Sequence, residues 1–247
     1  MSDSKFVFNG GDVTSPKGSV IDIYTSASNV LVEMNGGSVR GDADNTFGIR
    51  GKSNVVVNIS GGKVSAFPGN RLAMYISGDN DNAIKINMTG GTIEAKSQAI
   101  QAYSGAVINV SGDANIYSQT STAISTQSGY GVVELNVTGG SITTDSGSGY
   151  AVYARESSVV NIEGGTISGG TAVYAYDNAN VQISGGDITG ESYAIRKGSN
   201  GTPTVDVTGG TFNKDVSTYA NEDAALATIT SGGSTKYVFG DSIAEKA

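Results

Sequence analysis

The 247-residue chain has no cysteine, no histidine and only three prolines. Without cysteine there is no disulfide, no thiol nucleophile and no sulfur-ligated zinc, and the redox compartment stays open. Without histidine the commonest general base near neutral pH and the commonest transition-metal ligand are missing, so any catalysis would fall to carboxylates, Lys, Arg or Tyr. Basic residues are scarce too. Between Ile100 and Ile195 the only one is Arg155, set against Asp113, Glu134, Asp145, Glu156, Glu163, Asp177, Asp187 and Glu191, within a net charge of −8. Such a surface repels a polyphosphate backbone, so no nucleic-acid partner is expected. No apolar run approaches the roughly 20 residues of a spanning helix, and the opening "MSDSKFVFNGG" lacks the basic end and apolar stretch of a signal peptide. Neither a membrane partner nor a secretory address is expected, and no cofactor or metal is called for.

What the chain has in excess is glycine: 36 residues, about twice the usual share of roughly 7%. With so little proline this is neither collagen nor a proline-rich linker. Many glycines fall inside a returning phrase, paired in all of its copies but the fifth: "FNGGDV", "MNGGSV", "ISGGKV", "MTGGTI", "VSGDANI", "VTGGSI", "IEGGTI", "ISGGDI" and "VTGGTF". Their first glycines are Gly10, Gly36, Gly61, Gly90, Gly112, Gly139, Gly164, Gly185 and Gly209. A mean step of about 25 residues marks a solenoid or propeller. Before each pair, apolar and polar residues alternate, as in "VVNIS", "IKINMT" and "VINVS", the signature of a strand with one buried face. After it comes a second short strand, and the pair suits a sharp bend or a positive φ.

A third segment follows in "LAMYI", "AIQAY", "AIST", "AVYA" (twice) and "YAIR". Three short strands per unit, with no helical window, make one coil of a parallel β-helix. A propeller blade needs about 40 residues, and leucine-rich repeats carry a different frame. Coils stacked at about 4.8 Å would give a rod roughly 40 Å long. Ala73, Ala99, Ala123, Ala151, Ala172 and Ala194 recur at one station, and Met74, Ile100, Ile124, Val152, Val173 and Ile195 at the next, so like stacks on like in one continuous core. Residues 1–212 are assigned to the repeats. Residues 213–247 drop the pattern and read as a C-terminal cap: a short helix with Asp215 at its N-cap, then a hairpin around "TSGGST". At the other end the edge is either covered by a partner or another copy, or merely blunted by Asp3 and Lys5.

The candidates for function face outward. Asn58, Asn87, Asn109, Asn136 and Asn161, continued by Gln182 and Asp206, form a column suited to an amide ladder that stabilises the stack. Four of them begin glycosylation sequons, which the repeat generates automatically. Tyr75, Gln101, Ser125, Tyr153, Tyr174 and Arg196 share a second column, with Tyr103 and Tyr176 on the following turn. Tyr75, Gln101, Tyr103, Tyr153, Tyr174 and Tyr176 are therefore the candidate glycan-binding face, since tyrosine stacks on sugar rings and donates hydrogen bonds. Threonines flanking the glycines suggest an ice-binding ladder, but charged residues interrupt the columns. The acidic loops "GDADN" (Asp42, Asp44) and "GDNDN" (Asp79, Asp81) offer oxygen ligands for calcium without completing a known loop, and read as solvated turns. No column aligns the clustered carboxylates that glycan cleavage needs, and Arg196 and Lys197 have no acidic cluster beside them. No catalytic residue is assigned.

These motifs resemble the "SGGTI" family of right-handed parallel β-helices, pectate-lyase-like in fold, over about Phe6 to Phe212. The tail "GGTFNKDVSTYANEDAA" is similar to the closing segment of repeat proteins in gut bacteria and their phages. The fold class expected is thus all-β, a single-stranded right-handed parallel β-helix of about nine coils with a C-terminal cap. The resemblance implies a surface-exposed, mostly non-catalytic module of cell-wall adhesins or virions. The reading it favours is a non-enzymatic phage virion structural protein: a capsid decoration, fibre or spike. A bacterial cell-surface glycan-binding adhesin is the alternative and a polysaccharide lyase or hydrolase the third. Expected partners are other virion or cell-surface proteins, with glycans and further copies of the chain as candidates. The expected location is the virion surface or the extracellular or cell surface.

Overall fold

The structure, a computed structural model, describes residues 2–42, 46–69, 72–79, 84–127, 129, 131–222 and 224–240. Among them the chain winds as a right-handed parallel β-solenoid of about eight turns, all-β throughout. Three parallel sheets run along the rod. The first is built from the strands before each glycine pair, such as Ile84–Met88, Ala106–Val110 and Val133–Val137, each in register with the next coil. The second holds the strands after the pair, such as Thr92–Ala95, Asn115–Ser118 and Ser141–Thr144. The third holds Met74–Ile76, Ile100–Ala102, Ile124–Gln127 and Tyr150–Arg155. It also takes in 21–23 and 47–49 from the earliest coils.

The turn that joins first and second sheets needs glycine for two separate reasons, and Gly164 and Gly165 display both. A Cβ on Gly164 would stand 2.6 Å from the carbonyl oxygen of Thr138 in the coil below, while Gly165 has φ +83°. Side chains are excluded at the first position by close approach and at the second by backbone conformation. The turn then stacks on itself through hydrogen bonds. The N–H of Thr166 donates to the carbonyl of Gly140 at 2.9 Å, as Asp187 does to Gly165 and Thr92 to Gly62.

Alternation fills the rod. In the first sheet Ile86, Met88, Ile108, Val110, Leu135 and Val137 point inward and are fully buried. The third sheet breaks alternation at its corner, where Ala123 with Ile124, and Ala151 with Val152, are both buried. Small side chains fill that corner station, alanine in most coils and the fully buried Thr46 in an earlier one.

Nine copies of the phrase become about eight turns because the last, at Gly209 and Gly210, lies inside the strand Thr204–Phe212 and leads into no third-sheet strand. Beyond it the segment expected as a short helix is a single 3-10 turn, Ser217–Tyr219. Val216 occupies its N-cap, and Asp215 accepts a 2.9 Å hydrogen bond from the Ser217 N–H. The hairpin of Leu226–Ser231 and Ser234–Phe239 turns at Gly232 and Gly233, both at positive φ, as tight hairpin turns require. Its second strand pairs antiparallel with 210–212, and Phe239 meets Phe212 edge to face at 5.6 Å, both fully buried. Residues 223 and 241–247 of the segment 213–247 lie outside the described residues.

Candidate functional site

In-register stacking sets equivalent side chains about 4.8 Å apart along the axis, within the range at which aromatic rings pair. On the third sheet Tyr75, Gln101, Ser125, Tyr153, Tyr174 and Arg196 occupy one column. Tyr153 and Tyr174 stack at 5.2 Å with 7° between their planes. Tyr176 packs on both, at 6.1 and 5.6 Å. Tyr150 closes the group from the other side at 4.8 Å from Tyr153 and 5.0 Å from Tyr174. Guanidinium groups cover the rings: Arg155 lies 5.3 Å from Tyr153, and Arg196 lies 5.1 Å from Tyr174 and 5.5 Å from Tyr193.

This packing decides what the cluster can do. Tyr174 is only 8% exposed, with Tyr153 on one neighbouring coil and Arg196 on the other. Its ring faces are engaged, so a sugar reaching this spot meets ring edges and hydroxyls. Burial raises the pKa of both Tyr153 and Tyr174, so their hydroxyls are neutral donors at physiological pH. Tyr193, 50% exposed, is the open aromatic beside them.

The other residues proposed for this face stand apart. Tyr75 is separated from Tyr153 by Gln101 and Ser125, and its ring lies 5.8 Å from the Arg50 guanidinium. Tyr103 lies against the backbone of Gly129, where an added Cβ would come within 3.0 Å of the ring. Tyr153, Tyr174 and Tyr176 are therefore brought together, while Tyr75, Gln101 and Tyr103 are not part of that group. Arg196 continues the column as the sequence indicates, whereas Tyr150 and Arg155 were not legible as members. Because Ala151 and Val152 both turn inward, counting by twos along the strand places Tyr150 wrongly.

The asparagines form a chain of amides on the outer side of the first sheet. Asn87 donates to Asn58, Asn109 to Asn87, Asn136 to Asn109 and Asn161 to Asn136, at 2.8, 2.8, 3.1 and 2.8 Å. The amide nitrogen that a glycan would modify is thus a donor within the ladder at Asn87, Asn109 and Asn136. A second polar stack has no counterpart in the sequence reading. Asn54 donates to Asn29 and Asn29 to Asp3, at 2.8 and 2.9 Å, and all three have positive φ near 50°. Asparagine and aspartate tolerate that conformation better than other side chains. Their spacing of 25 and 26 residues matches the glycine steps and was the available signal.

The second sheet carries the most varied chemistry. Glu94 accepts from Lys63 Nζ and Ser65 Oγ, both at 2.8 Å. Tyr117 donates its hydroxyl to Asp145 at 2.6 Å, and that bond pushes its pKa up to about 12. The Phe67 and Tyr117 rings run parallel at 6.4 Å. Arg40, Lys63, Phe67, Pro68 and Glu94 line a shallow groove of about 370 Å³. Arg40 pairs with Asp42 at 3.4 Å, while Asp44 and Asp81 lie outside the described residues. No group of three metal-ligating side chains occurs among the described residues, and Arg196 and Lys197 make no ion pair there.

The chain matches no protein-family model, no curated protein sequence and no solved structure.

Proposed function

We propose that the chain is a rigid, non-enzymatic β-solenoid displayed on a surface, serving as a virion structural protein of the "SGGTI", pectate-lyase-like type: a capsid decoration, fibre or spike. One observation carries this reading. The outward columns bond to one another along the rod axis, amide to amide from Asn161 to Asn58 and ring to ring from Tyr153 to Tyr174. Groups fastened to the next coil stiffen the rod and are withdrawn from ligands, whereas a ligand site gathers convergent free polar groups in a concavity. Two carboxylates of the second sheet follow the same rule, Glu94 held by Lys63 and Ser65 and Asp145 by Tyr117. The proposed partners are other virion or cell-surface proteins, and the proposed location is the virion or an extracellular surface. Immunogold labelling of lysates and intact cells with an antibody to the chain tests this: label on particles is expected, and label confined to the cell interior overturns it.

A second reading, a bacterial cell-surface adhesin that binds glycans, is favoured by the gathering of Tyr150, Tyr153, Tyr174 and Tyr176 with two arginines on one face. Under it, label sits on the cell envelope, and alanine at Tyr153 and Tyr174 abolishes retention on a glycan column.

A further inference from the structure

The outward columns bond along the rod, but the groove on the second sheet keeps open donors and an open acceptor. Arg40, Ser65 and Glu94 stand in one outward column of that sheet, with Ser38, Lys63 and Thr92 in the column beside it. Both bonds that Glu94 accepts, from Lys63 Nζ and Ser65 Oγ, fall on Oε1. Its Oε2 therefore has no partner among the described residues, although the side chain is only 18% exposed. Arg40 meets Asp42 through Nε, which leaves its Nη donors without an ion pair among those residues, and the ammonium of Lys63 has hydrogens beyond the one given to Glu94. Phe67, half-buried and parallel to Tyr117 at 6.4 Å, and the exposed Pro68 supply an apolar wall. The groove encloses about 370 Å³, at the small end of ligand pockets.

We propose that this groove binds a neutral pyranose, with the apolar C–H face of the sugar against Phe67 and Pro68 and adjacent hydroxyls on Lys63 and Glu94. Three observations select that ligand. The charges balance, Arg40 against Asp42 and Lys63 against Glu94, so the groove offers no net attraction to an anion or a cation. Lys63 and Glu94, joined at 2.8 Å, set a donor beside an acceptor. A sugar hydroxyl both donates and accepts, so neighbouring hydroxyls engage the two together, one accepting from Nζ and the other donating to Oε2. Finally, the apolar wall and the charged pair line the same groove, which is what a ring with an apolar face and a polar rim needs. Glu94 is thus held in place at one oxygen and left open at the other. The site lies on a different sheet from the tyrosine cluster, and it holds for the rod in either role proposed above.

Saturation-transfer NMR on the full chain tests it, with the methyl glycosides of glucose, galactose and mannose as neutral probes and methyl glucuronoside as the anionic counterpart of the glucoside. At least one neutral probe is expected to bind with a Kd of about 1 mM, the range for a single ring in a shallow site. The glucuronoside is expected to bind more weakly than the glucoside. Phe67→Ala should weaken binding roughly tenfold or more. Glu94→Gln, which keeps the shape and removes the anionic acceptor, should weaken it roughly fivefold or more. Circular dichroism unchanged from wild type separates a lost site from a lost fold in each variant. Tyr153→Ala is expected to leave binding as it was. No saturation transfer from any neutral probe at about 10 mM overturns the proposal. So does a preference for the glucuronoside, and so does binding that Tyr153→Ala abolishes while Phe67→Ala and Glu94→Gln retain it, which would put the sugar on the tyrosine cluster.

Discussion

Tyr153 and Tyr174 lie one coil apart with their rings parallel at 5.2 Å, and Arg196 continues the stack 5.1 Å from Tyr174. Tyr174, nearly buried, is part of the rod's outer packing. Tyr174→Ala should cost about 3 kcal/mol, in line with the loss of a buried aromatic. Arg196→Ala removes the cation–π contacts of an exposed guanidinium with Tyr174 and Tyr193 and should cost about 1–2 kcal/mol, at roughly 0.5–1 kcal/mol each. Urea unfolding of the two variants measures the difference. Equal losses would mean that the column does not support the coil.

Asn109 both donates to Asn87 and accepts from Asn136. Asn109→Ala leaves both neighbours without that partner on a half-buried surface, and a loss of about 1–2 kcal/mol follows. Thermal unfolding provides the test, and a neutral result would reduce the ladder to a by-product of the repeat.

Gly165 and Gly11 separate backbone strain from steric contact. Both have positive φ, +83° and +86°, but a Cβ at Gly165 meets the Gly139 oxygen at 2.8 Å while one at Gly11 meets nothing within 4 Å. Gly11→Ala should cost about 1–2 kcal/mol through conformation alone. Gly165→Ala should cost more, because the coil below must also move. Chemical denaturation of both variants reports the difference.

The Tyr117 hydroxyl, bonded to Asp145 and further raised by burial, has its pKa pushed up to about 12 from the usual 10. The fold favours the neutral phenol, so this stabilisation is complete below pH 10 and is lost as pH rises through about 12. Tyrosinate absorbance should show Tyr117 titrating late in the native protein, together with the buried Tyr153 and Tyr174. Asp145→Asn should bring the Tyr117 ionisation back towards pH 10.

The periodicity was readable because it is a backbone requirement. Every coil needs glycine at the turn and mostly apolar residues at its inward stations, so the three strands of a coil could be placed from residue type alone. The asparagine column was readable for the same reason, since alternation fixes which residues of the first sheet face out. Alternation stops at the third-sheet corner, where Ala151 and Val152 are both buried, and there Tyr150 was missed. Contacts between positions that are not equivalent, such as Phe67 with Tyr117 or Tyr117 with Asp145, depend on side-chain reach across coils. No repeat encodes that reach. The cap's 3-10 turn was read as a helix because Asp215 signals a turn start equally well for either.

The rod is proposed to carry no glycan-cleaving chemistry. The direct measurement is incubation of the purified chain with a panel of bacterial and plant polysaccharides, with and without calcium, recording both retention and chain length. The account predicts no shortening of any polymer under either condition. Cleavage of a single member would contradict it, and loss of that cleavage on substitution of Glu94 would make the second-sheet groove an active site.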